Sequence, residues 1–157
     1  MLLRGAERRL RLAETLAGCI RDWRDPARTV HTLPAMLRFR MFAIACGYEA
    51  ADDCDDLRRD PLFKLAVGRA PESGRDLCSL PTMSRLENAP SFSEVGRLTA
   101  ALVDTFCRSF DAPPAAITLD IDETCDAVHG HQQLSLFHGF YDMRCCTPSP
   151  TRPAPTR

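Results

Sequence analysis

Residues 117–142 read ITLDIDETCDAVHGHQQLSLFHGFYD. An apolar, β-branched opening runs into three acids, Asp120, Asp122 and Glu123, within four positions. Burying carboxylates is costly unless they are paired, hydrogen-bonded or bound to a metal. A strand that ends in acids therefore runs either into a solvated turn or into a metal-dependent site. The short, β-branched segment before the acids predicts a strand near 115–122, and HQQLSLFHGFY, set off by Gly130, predicts a second near 131–140. Paired antiparallel, they form a hairpin, and an isolated hairpin is marginal. The expectation is the opening of a larger sheet.

Upstream of residue 115 the apolar spacing is helical. Leu10, Leu12, Leu16 and Ile20 lie among arginines over 6–22 and predict one amphipathic helix, broken by DWRDPAR. Residues 33–47 predict a more apolar helix stopped by Gly47. AADDCDDLRRD predicts a short helix with an acidic first turn, and PLFKLAVG one that opens at Pro61 and closes at Gly68. LPTMSRLENAPS predicts a helix capped by Thr82 or Ser84. Ser91 to Glu94 form a capping box for a long helix over 91–110. The predicted fold class is α+β, with five or six helices followed by one β-hairpin.

The 157 residues suffice for one domain with a real core. A net charge of −1 excludes a polycation, but the charge is uneven. Residues 1–40 hold nine arginines against four acids, whereas 49–60 hold six acids against two arginines. Arginine outnumbers lysine nineteen to one, which fits either a GC-rich genome or phosphate recognition by planar guanidiniums. The eight cysteines form no C-x-x-C pair, so a zinc site is not expected. Without a secretory signal or an 18-residue apolar run, the expectation is a cytoplasmic protein with no membrane partner. The last thirteen residues, CCTPSPTRPAPTR, hold four prolines and predict an unstructured tail over 146–157, either a frameshifted ending or a natural flexible one.

On a strand, Asp120, Asp122 and Thr124 share a face. Two carboxylates side by side repel unless a cation or proton lies between them, and Mg²⁺ suits one or two carboxylates plus phosphate oxygens. Asp-x-Asp-x-Thr matches the nucleophile motif of haloacid-dehalogenase-like phosphatases, which implies Asp120 as nucleophile and Asp122 as acid/base. That match is five residues long.

A longer resemblance is carried by GYEAADDCDDLRRDPLFKLAVGRAPESGRDL (47–77), PTMSRLENAPS (81–91) and TLDIDETCDAVHGHQQLSLFHGFYDMRC (118–145). In that order they resemble the amino-terminal part of a DDE transposase of the IS1380 insertion-sequence family, over roughly residues 5–145. The resemblance implies a bacterial protein with a helical, DNA-binding region (1–114) followed by the start of a ribonuclease H-like catalytic core (115–145). It implies DNA cleavage and strand transfer at the element's terminal inverted repeats, with Mg²⁺ or Mn²⁺ in the complete enzyme and a homo-oligomer as that enzyme's expected state. Asp122 is the implied metal ligand and first catalytic acid, with Asp120 in reserve and Thr124 and Gln133 as support. His138 and Phe140 depart from the family pattern, and the later catalytic acids would lie past residue 157, so the chain alone is expected to be a truncated, inactive piece that binds no metal. For DNA the candidates are Arg8, Arg9 and Arg11 of the arginine-bearing first forty residues, and Arg85 of a short helix that either reads a groove or packs on the helix at 91–110. A non-catalytic helical DNA-binding fragment is the alternative from another class.

Overall fold

The computed structural model describes residues 2–118, 136–138 and 142–145. The chain divides into two compact units, 1–113 and 114–157.

Among the described residues the first unit contains α1 (Leu2–Leu10), α2 (Leu12–Cys19), a 3₁₀ turn (Pro26–Arg28), α3 (Leu33–Ala45), α4 (Cys54–Leu57), α5 (Pro61–Val67), α6 (Leu80–Glu87) and α7 (Phe92–Cys107). Local chemistry explains most of the boundaries. Asp60 accepts the N–H groups of Leu62 and Phe63 at 2.8 and 3.0 Å, Pro61 fills the first turn, and Gly68 ends α5 in the left-handed region at φ 94°. Gly47, at φ 89°, follows the end of α3. Ser91 and Glu94 form the expected capping box of α7. The short helix at 80–87 starts earlier than expected, with Ser79 at the N-cap position and Pro81 in the first turn.

α3 supplies Leu33, Met36, Phe39 and Ala43 to the core, against Cys54 and Leu57 of α4, Leu77, Cys78, and Met83 and Leu86 of α6. Phe39 meets the ring of Phe63 edge-on at 5.8 Å. α2 and α5 pack on α3, and α7 packs on α2. No helix among the described residues is long and apolar enough to cross a membrane.

Two expectations are corrected. The single helix over 6–22 is broken at Arg11, whose backbone is left-handed at φ 51°. The cause is Glu7: its carboxylate accepts the N–H of Ala13 at 3.0 Å, capping the first turn of α2 from six residues upstream. The α+β class is also not what the structure shows, since the described architecture is helical. Residues 115–118 carry no ladder, Pro113 and Pro114 before them have no N–H to donate, and Ile117 is left 52% exposed. In the second unit the described pairing is three residues long, β1 (Leu136–His138) with β2 (Met143–Cys145), in the register Leu136 to Cys145, Phe137 to Arg144 and His138 to Met143. β1 falls inside the segment expected near 131–140, but its described partner is Met143–Cys145 and not the segment expected from residue 115. Residues 119–122, most of the expected second strand and the tail lie outside the described residues.

Candidate DNA-contacting surface

Arg8 and Arg9 occupy the last turn of α1, where positive charge complements the helix dipole. Arg11 forms the left-handed joint to α2, and all three side chains are exposed. Arg8 and Arg11 line one cavity of about 290 Å³ together with Arg4, Arg38, Glu7 and Glu14. The two carboxylates there are already matched. Arg38 lies 3.6 Å from Glu7 and hydrogen-bonds Glu14, while Glu7 also holds the Ala13 N–H. Burial pushes the Glu7 carboxyl above its ordinary 4.5, with Ala13 and Arg38 pulling against it. Burial opposes ionisation of Glu14 too, but its own backbone N–H and Arg38 outweigh that and hold it below 4.5. Among the described residues no ion pair engages Arg4, Arg8, Arg9 or Arg11. The surface therefore presents guanidiniums whose charge is not spent internally, as contact with phosphates requires.

Arg85 lies elsewhere. It lines a groove of about 600 Å³ between α6 and the 20–31 loop, and it reaches Thr82 Oγ1 at 3.4 Å. The structure thus brings Arg8 and Arg11 together, leaves Arg9 exposed on α1 and puts Arg85 in a different place. On α6, Met83 and Leu86 are buried in the core with α3 and α4 residues, while Arg85 is exposed.

The groove holds residues that the sequence reading passed over as a helix break. The Arg21 guanidinium stacks 3.3 Å above the Trp23 ring centroid, and Trp23 is nevertheless 73% exposed. Arg24 braces the loop, with Nε and Nη2 each 2.7 Å from the Asp22 carboxylate and Nη1 3.0 Å from the His31 carbonyl. His31 Nδ1 accepts from Arg69 at 3.0 Å. Burial, then the positive charge of Arg69 and its neighbours, lowers its pKa and keeps the ring neutral. A lone tryptophan among arginines, DWRDPAR, was the available signal.

Asp120, Asp122, Thr124 and Gln133 lie outside the described residues. Among the described residues no group of three or more His, Cys, Asp or Glu side chains is placed to hold a metal ion.

Transposase DDE domain group 1 matches residues 1–149 of the chain. The chain belongs to that family. Its function is transposase-related: the family binds DNA and generally uses divalent metal ions. Comparison with the curated proteins and with the solved structures gave no match.

Proposed function

We propose that this chain contacts the terminal repeats of an IS1380-like insertion sequence and belongs to its strand-transfer machinery. The observation that supports DNA contact is the guanidinium surface of α1 and the α1–α2 joint, where Arg8, Arg9 and Arg11 have no carboxylate partner among the described residues. Such contacts fix a protein on duplex DNA and make binding salt-sensitive without reading sequence. The IS1380 assignment rests on the three ordered segments at 47–77, 81–91 and 118–145.

For the chemistry we assign Asp122 as first metal ligand and Asp120 as the reserve, with Thr124 and Gln133 supporting them. Divalent ions, when bound, stabilise charge on the attacking and leaving oxygens of a phosphodiester. Two neighbouring carboxylates by themselves are a poor clamp for two ions, so no cleavage is expected of the isolated chain.

A gel-shift titration with element-end duplex at low and moderate salt tests the reading. Weak, salt-sensitive binding is expected, lost when Arg8, Arg9 and Arg11 are changed together to Ala and unchanged by Asp122→Ala. Binding unaffected by the triple change sinks the proposed surface. Mg²⁺-dependent turnover of a phosphomonoester that disappears in Asp120→Asn would replace the transposase chemistry with a phosphatase.

A further inference from the structure

The groove between the 20–31 loop and α6 is built differently from the α1 surface. Its floor is apolar, formed by Leu33, Met36 and Leu86, and its rim carries Trp23, Arg28 and Arg85. Trp23 contributes nothing to the core: Arg21 covers one face of the ring and the rest meets solvent. Yet the loop that carries it is held at several points. The Arg21 N–H is fixed by Glu94 at 2.8 Å, Arg24 ties Asp22 to the His31 carbonyl, and Asp25 accepts the Ala27 N–H at 3.0 Å. A large aromatic face kept in water on a braced loop is pre-organised for a partner.

The charges select that partner. Asp22 is spent on Arg24, and Asp25 on the Ala27 N–H and on Arg28 at 3.7 Å. Arg85, across the groove, has only the Thr82 hydroxyl and no carboxylate among the described residues. An aromatic platform backed by a guanidinium, an apolar floor and an unspent cation suit a flat ring joined to an anion. A volume of about 600 Å³ has room for it. Bases in a duplex are stacked on each other and offer only their edges, so a free ring face takes an unpaired base.

We propose that this groove binds an unpaired nucleotide of single-stranded DNA, with its base on the exposed face of Trp23 and its phosphate at Arg85. The inference rests on the DNA-binding reading above but concerns a different surface and a different form of DNA. Stacking is tolerant of sequence, so the groove selects strandedness rather than bases.

Trp23 is the only tryptophan in the chain, so its emission reports on the groove alone. The full chain is titrated with oligo-dT, with emission and the anisotropy of labelled oligo-dT recorded together. Saturable quenching is expected at the concentrations where anisotropy rises, weakening with salt. Trp23→Phe should keep oligo-dT binding, and Trp23→Ala should weaken it about tenfold while leaving duplex gel shifts unchanged. Arg85→Ala should weaken it and flatten its salt dependence. Both side chains are exposed, so neither change threatens the fold. Anisotropy that saturates without quenching, or Trp23→Ala binding oligo-dT as tightly as the parent, overturns the inference while duplex binding stands. A chain that binds neither form of DNA overturns both this inference and the reading beneath it.

Discussion

Glu94 Oε1 accepts the backbone N–H of Arg21 at 2.8 Å across 73 residues of chain. The other oxygen accepts the Ser91 N–H and hydroxyl at 2.8 and 2.7 Å, so one carboxylate closes the capping box of α7 and anchors the loop that carries Trp23. These bonds, the one from Arg21 foremost, hold the carboxyl down at about 2, below its ordinary 4.5. Because the folded pKa is depressed, the stabilisation is fully present above about 4.5 and is lost as pH falls toward about 2. Thermal melts at a series of pH values should show the parent losing stability across that window. Glu94→Gln should start lower at pH 7 and change less with acid. Parallel curves for the two proteins would show that Glu94 does not couple α7 to the loop.

Lys64 and Asp76 make an asymmetric pair. Lys64 is 5% exposed and donates to Asp76 at 2.9 Å and to the Gly74 carbonyl at 3.0 Å. Asp76 also has Arg59 at 3.4 Å and Arg58 at 3.8 Å, and the Lys64 hydrogen bond foremost keeps its carboxyl below the usual range. Asp76→Ala strands a buried ammonium, whereas Lys64→Met removes that charge and leaves Asp76 with two arginines. Urea unfolding should give a clearly lower midpoint for Asp76→Ala than for Lys64→Met. The reverse order would mean that the lysine is solvated in the folded protein.

Phe39 tests whether α3 carries the core. It is 1% exposed and wedged against Phe63. Phe39→Ala should cost about 3–5 kcal/mol, a large share of a small domain's total, measured by urea unfolding. A loss under about 1 kcal/mol would place the stability of the unit elsewhere.

The parts of the fold legible in the sequence were those governed by neighbours in sequence. Asp60, Pro61 and Gly68 bound α5, and Ser91 with Glu94 opens α7, through contacts a few residues long. The break at Arg11 was not legible, because Ala13 is capped by a carboxylate that Arg38, from α3, holds in place. Nor was the Trp23 groove, whose second wall is α6, some sixty residues downstream. The strand expected from residue 115 failed for a related reason. β-branched content describes a segment that suits a ladder, but a ladder needs a partner, and 115–118 pair with no strand among the described residues. Of the candidate contact residues, the sequence marked Arg8, Arg9 and Arg11 by charge and Arg85 by its place on a short helix, but neither signal could say that the 20–31 loop forms a groove with Arg85.

Arg38 is the counter-ion on which the α1–α2 joint depends. It faces Glu7, 5% exposed, and hydrogen-bonds Glu14. Arg38→Ala leaves Glu7 buried without a cation and should destabilise the protein by about 2 kcal/mol at pH 7, less than a fully buried pair because Glu14 is partly solvated. The defect should shrink in acid for two reasons of the same sign. Glu7 has a raised pKa, so its neutral form is the one the fold prefers, and protonation relieves the stranded charge in the variant. Glu14 has a lowered pKa, so acid removes from the parent the attraction that the variant already lacks. Urea unfolding of both proteins at pH 7 and near pH 4 measures the difference at each pH. A defect that stays constant or grows in acid would show that Arg38 acts by packing rather than by charge.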